Sequence, residues 1–110
     1  MKTVKKLWGS EKWIVNDQKY CVKFLILKPN KTSSLHYHKE KRETFLGIQG
    51  KMILETEGSI ATFHHGQATT ILPNTKHRFF NPFSEECWFY ECSTFHSERD
   101  VVRLTKSGTL

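Results

Sequence analysis

Apolar residues along this chain come in short runs, and turn-forming residues separate them. Residues 20–28 hold the clearest run. Cys21-Val22-Lys23-Phe24-Leu25-Ile26-Leu27 is rich in β-branched and aromatic residues, and Pro29-Asn30 stops it. Residues 33–38 predict the next strand. Residues 43–49 and 51–56 follow and are expected to pair as a hairpin about Gly50. Glu57-Gly58-Ser59 turns the chain into residues 60–64, and His65-Gly66-Gln67 turns it again into 68–72. After the loop Pro73-Asn74-Thr75-Lys76 come residues 77–81, with His77, Phe79 and Asn81 on one face and Arg78 and Phe80 on the other. Pro82-Phe83-Ser84-Glu85-Glu86 leads into the last strong strand, 87–94.

The two ends are weaker. Residues 1–18 predict one or two short strands packed outside the main body. Trp8 and Trp13 are read there as core or dimer-contact residues, with a ligand-lining role as the alternative. Residues 96–110 are polar apart from Val101-Val102-Arg103-Leu104 and are expected to fray at Lys106-Ser107-Gly108. No amphipathic helix is visible. About eight to ten short strands spaced by turns predict an all-β sandwich or small barrel, in which closure removes exposed edges and leaves an inner cavity.

At 110 residues the chain predicts one domain, with a core over roughly 20–95. Hydrophobic residues make up 37% and aromatics 13%, which excludes a disordered chain. No apolar run is long enough to cross a bilayer, and no apolar segment follows the basic N-terminus, so a cytoplasmic protein is expected. The net charge is +6. Its cations are dispersed, without a basic stripe or nucleic-acid motif, so nucleic acid is not the expected partner. Anionic small molecules suit the charge better. Cys21, Cys87 and Cys92 are odd in number and lie in apolar or aromatic runs, which predicts buried reduced thiols.

Candidate chemistry concentrates in residues 36–50. His36 and His38 are two apart, so on a strand both imidazoles point to one side while Tyr37 points to the other. A turn through residues 39–42 would fold the run that Glu43 opens back beside them. Two imidazoles, one carboxylate and a further His suit a divalent transition metal. His77 is one candidate for the further His; His64 and His65, at a turn beside Gly66, are its rivals.

These residues resemble the motifs of the cupin superfamily. Its first motif runs Gly, five residues, His-x-His, three or four residues, Glu, six residues, Gly; this chain has Asn30, five residues, His36-Tyr37-His38, four residues, Glu43, six residues, Gly50. The second runs Gly, five residues, Pro-x-Gly, two residues, His, three residues, Asn; this chain has Gly66, five residues, Leu72-Pro73-Asn74, two residues, His77, three residues, Asn81. The departures are Asn30 for Gly, Leu72 for Pro and Asn74 for Gly. All lie at turns, where Asn tolerates the left-handed conformation. The resemblance implies a double-stranded β-helix, a small jelly-roll barrel. It also implies a divalent metal (Mn, Fe, Zn, Co or Ni) held by His36, His38, Glu43 and His77, and a homodimer through outer strands. Trp8-Gly9-Ser10-Glu11-x-Trp13, Lys19-Tyr20-Cys21-x-Lys23 and Ser93-Thr94-Phe95-His96 with Asp100 and Arg103 are similar to the type II mannose-6-phosphate isomerase and D-lyxose isomerase barrels within that superfamily.

What such a site would do is left open between three classes, with nickel or copper chemistry a fourth that ligand type alone permits. A metal-dependent aldose–ketose isomerase acting on a small sugar or sugar phosphate leads, followed by an Fe(II) dioxygenase and a non-catalytic sugar-binding domain. Isomerisation needs a general base, and Glu91 is the candidate. Alternation leaves open whether Phe89/Glu91/Ser93 or Trp88/Tyr90/Cys92 faces inward. Lys23 and Arg78 are lesser candidates for gripping an anion, and both residue types usually sit at a rim.

Overall fold

The computed structural model describes residues 1–110 as two antiparallel sheets packed face to face. One sheet has the order β1 (Lys2–Lys6), β2 (Gly9–Asn16), β3 (Cys21–Leu27), β11 (Cys87–Ser93), β6 (Glu43–Gln49), β9 (Ala68–Ile71). The other runs β12 (Val101–Arg103), β5 (His36–His38), β10 (His77–Asn81), β4 (Lys31–Thr32), β13 (Gly108–Thr109). β7 (Lys51–Thr56) also pairs with β10 and carries β8 (Ser59–His64) on its other side. One 3-10 turn, Glu98–Asp100, precedes β12. No helix is long and apolar enough to cross a membrane. The all-β, jelly-roll-like barrel expected from the sequence is the one observed.

Alternation along the central strands builds the interior in two layers. Inward residues of β3 run Cys21, Lys23, Leu25, Leu27, and those of β11 run Cys87, Phe89, Glu91. Antiparallel register sets Lys23 opposite Glu91, Leu25 opposite Phe89 and Leu27 opposite Cys87. β6 adds Glu43 and then Phe45, and β10 adds His77 and then Phe79. Each strand therefore puts its polar residue in one layer and its apolar residue in the next. The apolar layer is an edge-to-face cluster of Trp8, Phe45, Phe79 and Phe89, with ring centroids 5.1–6.0 Å apart. The inner face of β11 is thus Phe89/Glu91, which settles the choice left open by alternation.

Several expectations are corrected. β6 and β7 do not form a hairpin: β6 pairs with β11 and β9, β7 with β10 and β8. Gly50, at φ 73°, is a corner that carries the chain from one sheet to the other. A Cβ there would stand 2.3 Å from the Glu86 carbonyl oxygen, so the turn requires glycine. Nor does residue 43 fold back beside β5; β5 and β6 lie in opposite sheets, and Glu43 meets the imidazoles across the interior. Asn30 and Asn74 do take left-handed φ, 63° and 64°, in place of glycine.

The C-terminal residues do not fray. β12 pairs with β5 and β13 with β4, because the short strands of the second sheet leave ladder groups that the tail satisfies. The N-terminal strands likewise extend the first sheet, and Trp8 from their connection enters the core at 4% exposure. β1, the edge, carries Lys2, Lys5 and Lys6, which discourage further strand addition.

Cys21 and Cys87 are buried, but Cys92 is exposed, because alternation that turns Glu91 inward turns its neighbour out. Burial pushes the Cys87 thiol up to about 12 and also raises Cys21. In the folded protein a disulfide reagent at neutral pH is therefore expected to titrate Cys92 alone, the other two reacting only after denaturation. Rapid reaction of a second thiol would contradict this packing.

Candidate metal centre

β5 and β10 are neighbours, and their register places His36 directly opposite His77. The two rings lie 4.4 Å apart by centroid, and His38 joins them from two residues further along β5. Ligand nitrogens of His36, His38 and His77 all fall within 4.8 Å of one another. Backbone carbonyls orient two of the rings: His36 Nδ1 donates to Ser34 O and His77 Nδ1 to Thr75 O, each at 2.8 Å. A proton held on Nδ1 leaves the Nε2 lone pair free, which is the arrangement a metal-ligating imidazole needs.

Glu43 reaches the cluster from the opposite sheet. Its Oε2 is 3.1 Å from His38 Nε2, and its Oε1 is 3.5 Å from His77 Nε2. Yet Glu43 Oε2, His77 Nε2 and His38 Nδ1 are buried without a hydrogen-bond partner. Orphaned buried acceptors are costly. One cation bound between these residues would satisfy both Glu43 Oε2 and His77 Nε2. Three imidazoles and one carboxylate fit a divalent transition metal by donor type as well. Burial would raise the Glu43 carboxyl, but His38, His77 and Lys41 outweigh it and hold it well below the usual carboxylate range. Burial, aided by His77, pushes His36 down to about 3, so it stays neutral and ligand-ready. Burial opposes a charge on His77, but Glu43 overcomes it and raises that imidazole.

Behind the imidazoles runs a buried chain of alternating charge. Glu11 lies 3.7 Å from Lys23 Nζ, and Lys23 Nζ lies 4.0 Å from Glu91 Oε2. Glu91 Oε2 is 2.6 Å from Lys41 Nζ, which is 3.6 Å from Glu43 Oε2. Lys41 also contacts His96 Nδ1 at 3.0 Å, and His96 Nε2 reaches Glu98 at 3.1 Å. Desolvation of this many charges is repaid only because each has a partner of opposite sign. Burial would lower Lys41, but Glu91 and Glu43 more than restore it and its ammonium is held. Lys23 is shifted down, chiefly by its burial.

The cavity between imidazoles and charge chain has a volume of about 80 Å³, with Trp8, Leu25 and Phe79 as its apolar wall. A water needs on the order of 10–15 Å³ measured this way, so a few carbon and oxygen atoms fit, not a whole sugar.

The structure thus brings His36, His38, Glu43 and Glu91 around one cavity and sets His77 against His36 and Glu43. His64 and His65 are exposed at their turn, away from it. Arg78 points outward, paired with Glu55 at 3.0 Å and stacked on Phe80, so it does not grip a ligand in this cavity. Lys23, read as a rim residue, is 1% exposed. Lys41, Glu11 and His96 were not identified from the sequence as site residues. Lys41 looks like one more solvated charge in Lys39-Glu40-Lys41-Arg42; its only signal is that it lies between two ligand-bearing strands.

His96 gives the site an acid sensitivity. Its burial, with Lys41 and Lys23 nearby, lowers it to about 4. The unfolded chain takes up that proton near the ordinary histidine value, so stability is lost as pH falls from about 6.5 toward 4, by up to about 1.4 kcal/mol per pH unit. His36 acts in the same direction, and His77, raised, in the other. Urea midpoints of metal-free protein are expected to be lower at pH 5 than at pH 7; an unchanged or higher midpoint at pH 5 would refute this.

Comparison with known proteins agrees with this fold. Residues 1–106 match the family described as mannose-6-phosphate isomerase C-terminal. A mannose-1-phosphate guanylyltransferase of Sinorhizobium fredii is 26% identical over 93% of this chain, which spans only 20% of that protein's length. Among solved structures, a Cupin 2 conserved barrel domain protein from Salinispora arenicola superposes with a TM-score of 0.67 at 21% identity, over 79% of this chain and 75% of the other. A sugar phosphate isomerase of the cupin superfamily from Silicibacter pomeroyi gives 0.71 at 22% identity, over 79% and 59%.

Proposed function

The chain belongs to the mannose-6-phosphate isomerase C-terminal family, within the cupin superfamily, and from that premise we propose that it holds one divalent metal ion and interconverts the aldose and ketose forms of a small sugar phosphate. The observation that carries this reading is the cluster of His36, His38 and His77 nitrogens within 4.8 Å of one another, with Glu43 3.1 Å from His38 and 3.5 Å from His77, beside a cavity that the buried carboxylate of Glu91 also lines. His36, His38, His77 and Glu43 would hold the ion. When bound there, it would polarise a substrate carbonyl.

The remaining chemistry falls to the chain's own residues. Glu91 removes the proton from the carbon beside the carbonyl and returns it to the former carbonyl carbon, while the proton of the neighbouring hydroxyl passes to the former carbonyl oxygen. Both its ion pairs use Oε2, which leaves Oε1 uncommitted for the transfer. Lys41, at 2.6 Å, holds that carboxylate in place. Trp8, Leu25 and Phe79 limit water on the apolar side. The small cavity admits the reacting carbons and their oxygens while the rest of the sugar stays at the mouth. The guanylyl transfer named for the curated relative is not part of this reading, since the chain spans about a fifth of that protein.

Protein loaded with Mn, Co or Zn and incubated with mannose 6-phosphate in deuterium oxide tests the proposal. Deuterium is expected at the carbon beside the carbonyl, with ketose formation. Glu91→Gln should slow both by roughly 10²–10⁴-fold without changing metal content. Metal-loaded protein that neither exchanges nor isomerises any aldose phosphate would refute the reading, and O₂ consumption by the Fe(II) form would move the domain to the dioxygenase class.

A further inference from the structure

The mouth of the cavity is flanked by cations from both sheets. β12 pairs with β5 so that Arg103 lies opposite His36 and Val101 opposite His38. Residues directly opposite on paired strands share a face, and Arg103 and Val101 accordingly line the cavity rim. Lys6, the last residue of β1 in the other sheet, lines the same rim. Outside lies an open recess of about 680 Å³, bordered by Lys5, Lys6, Arg103 and Lys106, with no carboxylate among its lining residues. Lys6, Arg103 and Ser107 border both spaces, so recess and cavity are continuous.

The segment that bears these groups is anchored. Ser107 Oγ accepts from the Ser34 N–H at 3.1 Å, and Thr105 Oγ1 accepts from the Leu35 N–H at 2.8 Å, just before β5 begins. Arg103 donates through one terminal nitrogen to Glu98 at 3.0 Å, which steadies the guanidinium and leaves most of its fork free. Lys6 takes part in none of the ion pairs of the molecule. An unpaired ammonium and a part-used guanidinium thus face one opening, and neither neutralises a buried acid.

We propose that Arg103 and Lys6 form an anion subsite at the cavity mouth that takes the phosphate of a phosphomonoester whose other end enters the cavity. The identity of that other end rests on the isomerase reading above; the subsite itself does not. A guanidinium fork matches two phosphate oxygens, and Lys6 adds a point charge from the opposite wall. Lys5 and Lys106 strengthen the field around the recess. The arrangement also explains how so small a cavity serves a larger molecule. The phosphate is held outside, and only the reacting end is inserted.

The test compares inorganic phosphate, mannose 6-phosphate and mannose as ligands, by calorimetry and ³¹P NMR, on metal-loaded protein and on Lys6→Gln, Arg103→Gln and the double variant. Lys12→Gln, an exposed lysine on β2 away from the recess, is the control. The unaltered protein is expected to bind inorganic phosphate, and to bind mannose 6-phosphate at least about tenfold more tightly than mannose. Each single variant should lose roughly tenfold for the phosphorylated ligands only, with bound metal unchanged, and Lys12→Gln should lose nothing. Arg103→Lys should recover part of the loss. If Arg103→Gln disturbs the fold by freeing Glu98, Lys6→Gln carries the test, because its side chain holds nothing in place. Phosphate preference that survives the double variant, or no phosphate binding by the unaltered protein, overturns the subsite. Lost turnover with preference intact and sensitive to Lys6→Gln overturns the isomerase reading instead and leaves the subsite standing.

Discussion

Lys41→Met is expected to lower the unfolding free energy by about 3–5 kcal/mol, and the melting temperature by roughly 15 °C for a chain of this size. Lys41 is 3% exposed and is the only cation that touches both Glu91 and Glu43. A methionine keeps most of the volume and removes the ammonium. Glu43, with an orphaned oxygen already, then loses the one lysine beside it, while Glu91 keeps only Lys23 at 4.0 Å. Two buried carboxylates with too little counter-charge are far costlier than the loss of a surface pair. The second substitution Glu91→Gln should recover a large part of the deficit, because it removes one of the stranded charges. Urea denaturation of the two single variants and the double, in metal-free buffer, measures the coupling. Lys41→Met within about 1 kcal/mol of the original protein would mean that water or rearrangement supports those carboxylates without it.

Glu43→Gln and His77→Ala should abolish metal retention. The unaltered protein, purified without chelator, is expected to carry about one equivalent of a single divalent metal. Even a residue that only supports a ligand is worth about 10–100-fold in affinity, so loss of a ligand should weaken binding by at least about 100-fold. Glu43→Gln is the sharper variant: it keeps shape and removes the only carboxylate that faces the imidazoles. His77→Ala also opens a hole beside Phe79 and will cost stability on its own account. Elemental analysis and competition with a coloured chelator read both. Wild-type metal content in both variants would mean that Glu43 and His77 are not part of the centre.

The ligand candidates were legible because their signal is local. His36 and His38 need only strand alternation to share a face, and the spacing from Glu43 to Gly50 and from Gly66 to His77 is a matter of turn positions. Asn30 and Asn74 could be read the same way, since a left-handed turn residue is a property of one position. Lys41 and Glu11 were not legible. A lysine in a charged loop and a glutamate after Gly9-Ser10 look like any solvated pair until the opposite sheet arrives. Gly50 was misread for a related reason: a glycine between two apolar runs is compatible with a hairpin and with a corner, and only the pairing partners of each run tell them apart.

By itself the sequence determined that the chain is all-β, where its main strands lie, and that two imidazoles and one carboxylate fall at the spacings a metal centre uses. These follow from short-range rules of alternation and turn chemistry. The tertiary structure decided which face of β11 is inward, and so that Glu91 is buried. It also joined the tail to the second sheet, carried Arg103 to His36, and set Lys41 between Glu43 and Glu91. Each of those depends on strands far apart in the chain, whose register is set by the burial of one shared aromatic layer, and no local pattern encodes a partner that lies fifty residues away.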